Sequence, residues 1–192
     1  TARGIAAVQD EEGIDLRARG LAPGDPVFVV PHGWERLQEL TERERDQHLL
    51  PYLRPKAIRR LRAHPPSDAP WLIYTTRGNV QEASEIPTLT AHLALAREVL
   101  ERRRETRRGS RQWFHLHWPR REALLDGPRV LVPRMTVWPS ASLIVERCAT
   151  GESVFTLVPA DRRFSALASA LLGSLPFALG ILLSTKSRGK GI

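Results

Sequence analysis

One segment, WLIYTTRGNVQEASEIPTLTAHLALAREVLERR (residues 71–103), constrains the fold more than any other. "WLIYT" joins aromatic and β-branched residues between turn formers, which predicts a strand. Pro87 suits the first turn of a helix. Leu89, Leu93, Ala96 and Leu100 then recur at helical spacing, so one face of that helix is buried. The helix ends in "ERRRETRRGSR", where cations complement the C-terminal carbonyls. Four strand-like runs follow closely: "WFHLHW", "RVLVPRMTVW", "ASLIVERC" and "SVFTLVP". Their spacing predicts an antiparallel sheet. The fold class is therefore α+β, a mixed, largely antiparallel sheet with packed helices.

Upstream, "PVFVV" predicts a short strand between Pro26 and Pro31. "WERLQELTERERDQHLL" predicts a helix that buries Leu37, Leu40 and Leu49 and solvates a dense charged face. "PYLRPKAIRRLRAHPPSDAP" sets two apolar anchors, Leu53 and Ile58, among Arg54, Lys56, Arg59, Arg60 and Arg62, before prolines break the chain. Residues 1–33 are rich in glycine and proline. They lack the apolar core of a signal peptide. The chain starts at Thr1 and its one methionine is Met135, so a processed chain or a piece of a longer protein is expected.

The uncharged apolar run from Phe164 to Leu183 has about the length that spans a bilayer. Lys186, Arg188 and Lys190 follow it, as they would follow a tail anchor. Ser165, Ser169, Gly173, Ser174 and Pro176 lower its hydrophobicity and favour a buried core helix interrupted at Pro176. Membrane association is not expected.

Chemistry is hard to find. Lys+Arg outnumber Asp+Glu by 29 to 21 in 192 residues, for a formal charge of +8. Such a balance favours polyanionic partners, because neutralised phosphates release counterions. The lone Cys148 excludes an internal disulfide framework and points to a reducing compartment. The chain's one Pro-Pro pair, Pro65-Pro66, is flanked by His64 and Ser67, which does not fit the motif that grips adenine in amino-methylating enzymes. No glycine-rich nucleotide loop is present. Asp126 and Glu146 lack the neighbouring lysine of a metal-dependent nuclease. His115 and His117, two apart in a predicted strand, share a face. They suit a metal, a partner or plain solvent, and no third ligand accompanies them. Arg77 in a glycine turn and Arg134 near a strand end are held by rigid structure. They suit either guanine-edge reading or a structural salt bridge.

The order of the segments carries a resemblance. "HLLPYLRPKAIRRL", "WLIYTTRG", "IPTLTAHLALAREVLERR", "WFHLHWPR", "GPRVLVPRMT" and "ASALLGSLPFALGIL" follow one another. This series resembles the C-terminal specificity domain of TaqI-type N6-adenine DNA methyltransferases, including fused restriction-modification enzymes. The likeness runs from about Gly4 to the end. Arg129 stands where the family has a lysine. "LGS" at Leu172-Gly173-Ser174 stands where it has "LNS".

The resemblance implies that residues 1–192 are a single target-recognition domain without catalytic residues, cofactor or metal of its own. A separate catalytic domain, fused or not, would hold S-adenosylmethionine and methylate an adenine flipped out of the duplex. The implied partner is double-stranded DNA, and the implied compartment is a bacterial or archaeal cytoplasm. Arg54, Lys56, Arg59 and Arg60 would lie on phosphates. Arg77, His115, His117, Arg134 and Thr136 would complete the DNA-binding set, with His115, His117, Arg134 and Thr136 at base edges. The alternative is a non-sequence-specific nucleic-acid or protein interaction domain, in which Trp113, Trp118 and Trp138 are stacking platforms.

Overall fold

A computed structural model describes residues 26–59, 64–134 and 140–184. It is α+β, as expected. The chain groups into two compact units, where the sequence suggested one domain. The first includes residues 26–52 and 67–120, and the second includes 53–66 and the chain from 121 onward.

In the first unit, strands β1 (Val29–Val30), β2 (Leu49–Leu53) and β3 (Trp71–Ile73) form an antiparallel ladder with β3 central. Val29 pairs with Leu72, and Leu49 with Ile73. The predicted helix over 34–50 is only partly helical. A 3₁₀ turn at Glu35–Gln38 precedes helix α1 (Glu42–His48), and Leu49 and Leu50 already belong to β2. Thr41 explains the break, because its side chain caps α1 through a capping box with Glu44.

Glu44 does more than cap its own helix. Its fully buried carboxyl also accepts from Thr88 N and Leu89 N at 2.9 and 3.2 Å. Those are orphan donors in the first turn of α2 (Pro87–Leu93), which has no side-chain cap from Ile86. One carboxyl thus ties two helix starts together. Pro87 occupies the expected first position. A 3₁₀ turn at Ala94–Ala96 leads into α3 (Arg97–Arg102), then α4 (Arg104–Arg107). Leu89, Leu93, Ala96 and Leu100 are all buried, as their spacing predicts.

The second unit holds β4 (Arg129–Pro133), β5 (Ser142–Ile144), β6 (Ala149–Thr150) and β7 (Val154–Leu157). β5, β4 and β7 form an antiparallel sheet with β4 in the middle. Leu131, Ile144, Val154 and Cys148 pack with Leu53 and Ile58 in one cluster, so both predicted anchors are core. Gly127 (φ +70°) turns the chain into β4, and a side chain there would collide with the Arg162 guanidinium.

Arg129 is fully buried. It donates to the carbonyls of Gly127, Glu146 and Cys148 and to Cys148 Sγ at 2.9 Å. Burial lowers the Arg129 pKa and pushes the Cys148 thiol up to about 11. Cys148 is a neutral packed group and not a nucleophile.

The expected interruption near Pro176 separates helices α5 (Ser165–Leu172) and α6 (Leu175–Ser184). The break falls at Gly173-Ser174, and Pro176 sits in the first turn of α6, where its missing N–H costs nothing. α5 packs on β4 and β5. Its inward residues are small: Ser165 and Ser169 are buried, and so is Ala178 on α6. Phe164, Leu167, Leu171, Leu175, Phe177 and Leu179 are exposed, which overturns the expectation of a buried core helix. No described helix is long and apolar enough to cross a membrane.

Candidate nucleic-acid interface

The second unit carries a cationic loop whose two ends are anchored. After β2, Pro55–Ala57 form one 3₁₀ turn, closed by Ala57 N to Arg54 O and Ile58 N to Pro55 O. Leu53 and Ile58, at its two ends, are plugged into the core. That anchoring leaves Arg54, Lys56 and Arg59 exposed on one short loop. Ser142 Oγ on β5 donates to Arg59 O at 2.9 Å and pins the far end. The backbone of a loop fixed at both ends has little further entropy to lose when its cations meet a phosphate.

Arg134 belongs to the same unit. It is exposed directly after β4, and its backbone N–H donates to Ser153 O at 2.8 Å. Arg60 and Thr136 lie outside the described residues, as do Met135 and Trp138.

The first unit holds Arg77, His115 and His117. Arg77 rides on a turn that is locked from inside. Asn79 Oδ1 accepts from Thr76 N at 2.6 Å, and Asn79 Nδ2 donates to Tyr74 O at 2.9 Å. The Arg77 side chain is exposed.

The histidines depart from expectation. "WFHLHW" is a chain of turns and bends, not a strand, so His115 and His117 do not share a strand face. Leu116 N donates to Thr75 O, and Thr75 Oγ1 donates to Phe114 O, which draws this loop onto the end of β3 without a ladder. His115 is buried. Its Nδ1 accepts from Gln112 N, so Nε2 is the protonated nitrogen and donates to Val80 O at 2.9 Å. Burial lowers its pKa, with the Val80 bond opposing. Both ring nitrogens are thus committed to backbone. His117 is partly exposed, with Nδ1 3.1 Å from Glu105 Oε2. Burial also lowers its pKa, with Glu105 opposing.

Two residues here take parts that their letters do not distinguish. The first is Arg103, in the arginine-rich helix end, which is structural. It donates to the carbonyls of Leu100, Trp113 and His115, and its guanidinium lies 5.8 Å from the Phe28 ring. Burial brings its pKa down to about 10, so it stays charged at neutral pH. The second is Trp118, which is 70% exposed, whereas the Trp113 ring lies under the Arg97 guanidinium at 5.1 Å. Nothing in the one-dimensional pattern separates these two tryptophans.

Among the described residues, no group of three or more His, Cys, Asp or Glu is placed to hold a metal ion. No family model matches the chain, and no curated protein matches it.

Proposed function

We propose that this chain is a sequence-recognition domain for duplex DNA. In this reading it directs N6-adenine methylation by a separate S-adenosylmethionine-binding domain in a bacterial or archaeal cytoplasm. The observation that carries the reading is the anchored loop of Arg54, Lys56 and Arg59 in a chain of formal charge +8. Those side chains contact phosphates and fix the register. Arg60 joins them by sequence. Arg134, directly after β4, reads a base edge and Thr136 joins it by sequence, with Arg77 and His117 as further contacts from the first unit. His115 shapes the loop that bears His117. The order of family-like segments supplies the link to adenine methylation.

A test separates the two kinds of contact. Lys56→Ala weakens binding to all duplexes alike and lowers the salt dependence. Arg134→Ala relaxes preference at one base, at about 1–3 kcal/mol. Equal, sequence-independent weakening by both changes contradicts the division.

A second reading is a protein-interaction domain. It is favoured by the exposed Leu167, Leu171, Leu175 and Phe177, since large exposed apolar patches accompany partner surfaces.

A further inference from the structure

Trp118 is the most exposed large apolar residue among those described, at 70%. Its loop, in contrast, is tightly held. Arg103 grips the carbonyls of Trp113 and His115 at 2.6 and 3.0 Å, and Arg111 donates to Leu116 O at 3.3 Å. His115 is locked between Gln112 N and Val80 O. The His117 ring meets the Trp118 indole edge-on, at 5.2 Å and 80°, and is itself held against Glu105 on α4. A rigid loop therefore presents one bare aromatic face.

The surroundings are cationic. Arg103 and Arg111 both act on His117. Arg104 and Arg107 are exposed on the same short helix as Glu105, and Arg108 is exposed directly after it. A bare aromatic plane on an arginine-rich segment suits a ligand that is flat and apolar at one point and anionic around it. A nucleobase with its flanking phosphates has that composition. An apolar peptide or an acyl chain would call for a wider apolar surface than one ring.

We propose that Trp118 is a base-stacking residue. Its indole takes the face of an unstacked nucleobase, at a single-stranded or locally opened stretch, while neighbouring arginines hold the backbone. The proposal rests on the nucleic-acid reading above and adds to it a contact that is insensitive to base identity, because every base has a π-face.

The experiment titrates the whole chain with a single-stranded oligodeoxythymidylate of about 20 nucleotides, about two footprints of a typical single-strand-binding fold. A mixed-sequence duplex of the same length is the second probe. Tryptophan fluorescence and the dissociation constant are read at several salt concentrations. Wild type should bind the single strand with quenching. Trp118→Ala should weaken that binding at least about 5-fold, the low end of one base stack. The salt slope should not change. Trp118→Phe should retain most of the affinity and lose most of the quenching, which separates stacking from damage to the fold. Unchanged single-strand affinity in Trp118→Ala overturns the proposal. If Arg54, Lys56 and Arg59, changed together to alanine, abolish duplex binding while Trp118→Ala binds both probes like wild type, only the stacking inference falls. If wild type binds neither probe, both readings fall.

Discussion

Two leucine-rich helical stretches of this chain meet opposite fates. Along α2 and α3, Leu89, Leu93 and Leu100 are 0%, 0% and 1% exposed. Along α5 and α6, Leu167, Leu171, Leu175 and Leu179 are 54%, 57%, 51% and 49% exposed. Leucine at helical spacing is common to both. The other face differs. α2 and α3 alternate their leucines with His92, Arg97, Glu98 and Glu101, so the apolar side turns inward. α5 and α6 have no charged face to keep in water. Ser165, Ser169 and Ala178 fill the inner positions, and small residues let a helix approach a sheet closely. The Ser165 hydroxyl donates to Pro128 O at 3.2 Å, which satisfies its burial. Burial is thus decided by which face fits the space available, and not by leucine content alone.

The largest break in that comparison comes from truncating the buried stretch. Leu93→Ala should lower unfolding stability by about 2–5 kcal/mol in a denaturant melt. Next, Glu44→Ala strands the Thr88 and Leu89 amides inside the protein. A loss of about 3 kcal/mol is expected from orphaned buried donors and lost capping, and amide exchange should rise in both α1 and α2. Ser169→Leu tests the small inner face of α5. Overpacking should lower stability by about 1–3 kcal/mol, whereas the same residue type does no harm at position 171.

Acid should sharpen the contrast between the units. His48, His92, His115 and His117, all in the first unit, have pKa values lowered mainly by burial. A lowered folded-state pKa contributes stability that is complete above the unfolded value of about 6.5. That stability is lost as pH falls from there through the folded values. At His115 the packing adds to burial, since a proton on Nδ1 would face the Gln112 N–H. Hydrogen exchange at pH 7.5 and 5.5, corrected for intrinsic rates, should show the first unit opening sooner at the lower pH. The smallest effect is expected at the exposed stretch. Leu171→Ala should change stability by less than about 0.5 kcal/mol.

The buried stretch was legible because its pattern is binary: Leu89, Leu93, Ala96 and Leu100 stand against charged neighbours, and Pro87 marks the start. Leu53 and Ile58 were legible as anchors for the same reason. α5 and α6 were not, because an all-apolar run carries no moment to say which side faces in, and the inward residues are the ones a hydropathy reading discounts. "WFHLHW" has strand-like composition, but its hydrogen bonds go to Arg103, Thr75 and Val80. Partners 10 to 41 residues away leave no local period. The cations of the candidate interface were readable as a basic cluster. Their rigidity was not, since it depends on Ser142 reaching Arg59 across 83 positions. Arg103 and Arg129 were hidden by composition, because a buried structural arginine and a surface one look alike in a row of letters.

The most direct test of the account is selection of the whole chain against a randomised duplex DNA pool at about 0.15 M salt, where non-specific electrostatic binding is already weakened, followed by sequencing. Enrichment of one short motif containing an adenine, lost in the Arg134→Ala protein, is the predicted result. Retention of DNA with no enriched motif, or no retention at all, would contradict sequence recognition by this chain.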